Sequence, residues 1–192
     1  MTEQKIEQKF GLPLNARVFF GILLVLEVLI VLFALEALHL ATWPAFVAMI
    51  LFFVTHENKQ EISKIIVGGA FGIVNFFLCM LFVNSTAHYF ATFGKDLAML
   101  LPVMIYVAVF VFLIVVLTQK LPWLFNSYAF MYFTVSFADL ASFLANHNIW
   151  ISWIAVEIIG GAVLILGVLG VLKFVTNFVK RQMAKKMAVH QS

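Results

Sequence analysis

Five apolar runs, each about the length that a helix needs to cross a bilayer, dominate this chain. They cover residues 18–38, 65–83, 97–117, 123–145 and 149–171. A sixth run, residues 40–55, is shorter and holds Pro44 near its start. Proline fits the first turn of a helix, so this run also reads as helical. The composition agrees, at 64% hydrophobic and 11% charged. Soluble domains sit near half apolar and about a quarter charged. The expected fold is an all-α, polytopic membrane bundle of six transmembrane helices. It divides into a polar segment over residues 1–16, a helical domain over 17–178 and a basic tail over 179–192. The first run is too long for a signal-peptide core, and no small-residue cleavage site closes it. Cys79 is the only cysteine, which excludes an internal disulfide.

Positive charge supports the six-span count. With six crossings and a cytoplasmic N-terminus, Lys95 alone among the 12 Lys and Arg falls outside. That is a strong positive-inside bias. If residues 40–55 and 123–145 were re-entrant, Lys59, Lys64 and Lys120 would move outside as well. Both termini are therefore expected in the cytoplasm, with the basic tail against anionic headgroups. The charge resembles no nucleic-acid surface.

Three spans in each half place the halves in opposite orientations, the condition for an inverted repeat. "IIVGGAFGIV" at 65–74 resembles "EIIGGAVLILG" at 157–167, and "WPAFVAMILFF" at 43–53 can be set against "SYAFMYFTVSF" at 127–137. Chance matching of cheap Gly-Gly-Ala and Ala-Phe strings is the alternative. In either case Gly68 and Gly72, on one face of the 65–83 run, and Gly160 and Gly161 in the 149–171 run suit close helix packing. Such packing serves contacts within the chain or between the copies of an expected homo-oligomer.

The strings "TWPAFVAMILFF" and "KIIVGGAFGIVNFF", followed by an aromatic helix and a glycine-rich last span, carry a likeness over about two thirds of the chain, from Thr42 onward. They resemble a family of small bacterial inner-membrane proteins, the domain-of-unknown-function family ten-ninety-seven. The resemblance implies a compact multi-span fold in a bacterial inner membrane and implies no chemistry. This chain departs from the family in its longer charged N-terminus and fewer loop glycines. The Asn-Pro-Ala-Pro-Leu start of the acetate permeases is absent.

Acidic residues inside apolar runs are costly and face protein or water. Glu27, Glu36, Asp139 and Glu157 are such residues. With the 123–145 run heading outward and the 149–171 run inward, Asp139 and Glu157 are expected at one depth, roughly 10–12 Å below the outer surface. Glu36 is expected near the interface. Tyr128, Tyr132, Ser136 and Asp139 recur at spacings of four, four and three, which places them on one helix face. That stripe reads as a cavity lining, with Asn75 and Asn126 adding amide contacts. The alternative is a set of polar groups that only hold helices together.

His39, His88 and His147 are expected in outer loops, one to a loop, with no metal-ligand spacing, and His56 and His190 on the cytoplasmic side. No catalytic constellation or cofactor motif is present, so neither an enzyme, a metal nor a cofactor is expected. Two functions remain in view. One is a small-solute or ion transporter or channel, with Asp139, Glu157 and Glu27 taking a cation or proton and Tyr132 and Ser136 touching solute. The other is an accessory or scaffold protein whose polar groups specify packing.

Overall fold

The computed structural model describes residues 14–190, apart from the side chains of Phe93, Lys95, Asp96 and residues 182–190. Most of the polar segment expected over 1–16 therefore lies outside the described residues, as do the last two residues of the tail. All described regular structure is helical. The helices are α1 (Leu14–Ala37), α2 (Trp43–Val54), α3 (Ile62–Thr86), α4 (Lys95–Leu117), α5 (Ser127–Ser136), α6 (Leu140–Ala145), α7 (Ile149–Ala155) and α8 (Gly161–His190). A 3₁₀ turn, Phe137–Asp139, joins α5 to α6, and a π-turn, Val156–Gly160, joins α7 to α8.

Among the described residues, five helical stretches are long and apolar enough to cross a membrane. They correspond to the five long runs. The fourth, Ser127–Ala145, starts later than its apolar run, because Asn126 caps α5 and residues 122–126 form turns. The shorter run forms α2, which has 12 residues. At 1.5 Å per residue it is about 18 Å long, well short of a hydrocarbon core of about 30 Å.

The chain separates into two units, residues 1–34 with 166–192 and residues 35–165. In the first, Phe19 of α1 packs its ring against Phe174 at 6.3 Å and Phe178 at 6.0 Å, both of α8. The window of α1 that suits a membrane is almost entirely unburied. A helix apolar all round suits lipid on its open sides.

In the second unit α3 is the central element, and its glycines explain why. A Cβ on Gly68 would come 2.5 Å from Asn126 Oδ1, and one on Gly72 would run into the Ala129 carbonyl. The backbones of α3 and α5 thus meet with nothing between them. The π-turn and the start of α8 meet α2 in the same way. A Cβ on Gly160 would lie 3.0 Å from that of Ala45, and one on Gly161 2.7 Å from that of Ala48. Aromatic rings fill the rest: Phe76 sits edge-on to Phe137 at 4.9 Å and Phe143 at 5.2 Å.

Two loop histidines have a local use. His39 (φ 54°) and His56 (φ 58°) occupy the left-handed position that ends α1 and α2. In each case the next N–H donates back across the turn, from Leu40 to Leu35 O at 2.9 Å and from Glu57 to Phe52 O at 3.0 Å. This is the usual helix stop, made here with histidine in place of glycine.

The close α3–α5 contact predicts that Gly72→Ala lowers stability by about 1–3 kcal/mol through overpacking. Gly170→Ala, where an added Cβ meets nothing within 4 Å, should leave it unchanged or higher. Thermal unfolding of both variants in the same detergent checks this.

Candidate functional site

The π-turn carries Glu157. This residue is fully buried, and neither carboxyl oxygen has a hydrogen-bond partner. Its slot exists because Gly69 of α3 has no side chain. A Cβ there would lie 2.6 Å from Glu157 Oε1 and 2.7 Å from Cε2 of Tyr132. Tyr132 forms the neighbouring wall and is itself fixed, since its hydroxyl donates to Pro44 O at 2.7 Å. One turn before Glu157, the indole of Trp153 is also fully buried and its Nε1 has no partner. A donor and an acid therefore stand unpaired about one turn apart on one helix.

Asp139 belongs to a different setting. Glu36, Thr42, Trp43, Ala138 and Asp139 line an open recess of about 440 Å³. Trp43 Nε1 donates to Asp139 Oδ2 at 3.3 Å. The Trp43 ring then reaches inward, 5.3 Å from Trp153 and 6.2 Å from Tyr132. Among the described residues no hydrogen bond joins Asp139 to Glu157. Asp139 is half-buried on the recess and Glu157 is enclosed, so the two carboxyls expected at one depth stand in unlike surroundings.

The rest of the expected stripe is hydrogen-bonded. Tyr128 donates to Glu61 Oε2 at 3.1 Å, beside the Lys64–Glu61 ion pair at 2.7 Å. Ser136 donates to Tyr132 O within its own helix at 2.8 Å. Asn126 accepts from Ala129 N–H at 2.9 Å and donates to Pro122 O at 2.9 Å, so it is a helix cap. Asn75 donates to Phe71 O at 2.8 Å and accepts from the Tyr106 hydroxyl at 3.3 Å. Tyr128, Tyr132 and Ser136 stand on α5 and Asp139 in the 3₁₀ turn after it, and all four have protein hydrogen-bond partners.

Glu27 lies in the other unit. Its carboxyl is buried against Gly167, in room that only a missing Cβ provides, and it too has no hydrogen-bond partner. A separate apolar cavity of about 220 Å³ is lined by Phe77, Met80, Met99, Phe143 and His147. His147 Nδ1 lies 3.0 Å from Phe143 O. Among the described residues no group of three or more His, Cys, Asp or Glu could hold a metal ion.

Sequence reasoning missed Trp43, Trp153, Gly69 and the recess position of Glu36. Trp153 and Glu157 are four apart, a spacing that was available as a signal. No family model, curated protein or solved structure matches the chain.

The buried Tyr132–Pro44 bond predicts a cost for Tyr132→Phe. Removing the hydroxyl strands a buried carbonyl, which costs about 1–3 kcal/mol. Tyr128→Phe, at a less buried pair, should cost less than about 1 kcal/mol. Denaturant or thermal unfolding in detergent measures both.

Proposed function

We propose that this chain is a transporter or channel for a small solute or ion. The observation that carries the reading is the enclosed, unpaired carboxyl of Glu157. An unsatisfied polar group in an apolar interior costs several kcal/mol, and a fold that keeps one has a use for it. The π-turn around it supports the same reading, because such turns are frequent at functional positions. The recess bearing Asp139 and Glu36 would be the mouth on one side, with Trp43 and Tyr132 between it and Glu157.

In this reading α2, extended by the turn residues on either side of its 12-residue helix, and the broken α5–α6 stretch both cross, giving six spans with cytoplasmic termini in a bacterial inner membrane. The positive-inside bias supports the orientation, and the five long apolar helical stretches support the membrane. The packing supports an inverted repeat. When Gly68–Gly69 is set on Gly160–Gly161 and Ala45 on Ala129, Gly69 corresponds to Gly161 and Tyr132 to Ala48. Gly69 faces Tyr132, and Gly161 faces Ala48. The equivalent close contact thus recurs in both halves.

The scaffold reading has one observation in its favour. Tyr128, Tyr132, Ser136, Asn75 and Asn126 are all satisfied by protein partners. Uptake into proteoliposomes separates the two. Labelled small acids, urea, amines, and monovalent and divalent cations would be offered to wild type, Glu157→Gln and Asp139→Asn. Transport predicts flux of at least one solute that Glu157→Gln loses while remaining folded, with a smaller loss in Asp139→Asn. No flux for any solute would favour the scaffold.

A further inference from the structure

We propose that the species Glu157 binds and releases is a proton, and that no metal cation occupies its slot. The inference rests on the transport reading and narrows its chemistry. A hard cation needs about six oxygen ligands, arranged around it. The Glu157 slot offers the two oxygens of a single carboxyl. Its α3 wall is the backbone at Gly69, and its α5 wall is the ring edge of Tyr132. The Tyr132 hydroxyl is committed to Pro44 O. From α2 the nearest side chains to the π-turn glycines are the methyls of Ala45 and Ala48.

The unpaired group one turn earlier is of the wrong kind for a metal. Trp153 Nε1 is a donor only, which repels a cation and favours a carboxylate. A proton needs one carboxyl oxygen and no shell. When the proton leaves, the unpaired indole N–H of Trp153, four residues earlier on the same helical stretch, is the donor that would answer the anion. The unpaired donor and the unpaired acid then have one joint explanation.

Other ionisable groups on the packed elements do not compete. On α3, Lys64 is held by Glu61, and Cys79 is buried among apolar side chains. On α5, Tyr128 is held by Glu61. Asp139, in the turn after α5, faces the recess and Trp43. α2 contains no ionisable residue. Among the described residues, Tyr132 is the titratable side chain that lies beside Glu157 at Gly69.

The test is direct and needs no transport assay. Wild-type protein in lipid nanodiscs is treated with a hydrophobic carbodiimide, which reacts with a protonated carboxyl. Modification at Glu157 is counted by mass spectrometry from acidic to alkaline pH, with and without saturating sodium, potassium or calcium. The expected result is labelling that falls about tenfold per pH unit above its midpoint, unchanged by any of the three ions. Trp153→Phe should move that midpoint upward, since the ionised form loses its donor. Protection by an ion overturns the proposal, as does labelling constant across the whole range or absent throughout it. Because the readout is chemical, a pH-dependent label without any solute flux would defeat the transport reading and leave the proton site standing. Flux together with ion protection would do the reverse.

Discussion

The close approach of α3 to α5 is the contact on which the larger unit depends. Lipid offers helices no hydrophobic reason to associate, so packing and hydrogen bonds must do it. Gly68 and Gly72 remove the side chains that would hold the two backbones apart. Asn126 and Ala129 then sit directly on α3, and the hydroxyl of Tyr132 reaches α2 at Pro44. The same surface leaves a gap at Gly69, and the carboxyl of Glu157 fills it. Packing and site are therefore one arrangement, because neighbouring glycines of α3 admit the helix at Gly68 and Gly72 and the acid at Gly69.

The polar groups sort by what surrounds them. Those on α5 face carbonyls or a carboxylate that satisfy them, and they fix helix position. Glu157 and Trp153 face rings, methyls and backbone, and nothing there satisfies them. That contrast within one small unit favours reading Glu157 as a working group. Glu27, lodged against Gly167 in the other unit, repeats the device of a carboxyl housed by a glycine.

Much of this was legible in the sequence, for physical reasons. Bilayer thickness fixes span length, so five long runs announce five long helices and one short run announces α2. Period 3.6 places Tyr128, Tyr132, Ser136 and Asp139 on one face, but α5 ends at Ser136 and Asp139 stands in the 3₁₀ turn beyond it, on the recess. Their partners were hidden, because Tyr132 meets a carbonyl 88 residues away. A stripe of hydroxyls looks alike whether it faces water or backbone. The breaks at Phe137–Asp139 and Val156–Gly160 contain no proline, so local propensity could not signal them. The unlike settings of Asp139 and Glu157 were hidden for a related reason. Residue counting gives depth along a helix and says nothing of which side chains close over it.

The measurement that tests the central claim most directly is the unfolding free energy of Glu157→Met against wild type in one bilayer mimic. A carboxyl kept for work, without partners, burdens the fold. Replacing it with an apolar side chain of similar size should raise stability by about 1–3 kcal/mol. A loss of comparable size would mean that Glu157 holds the structure together, and would contradict the account.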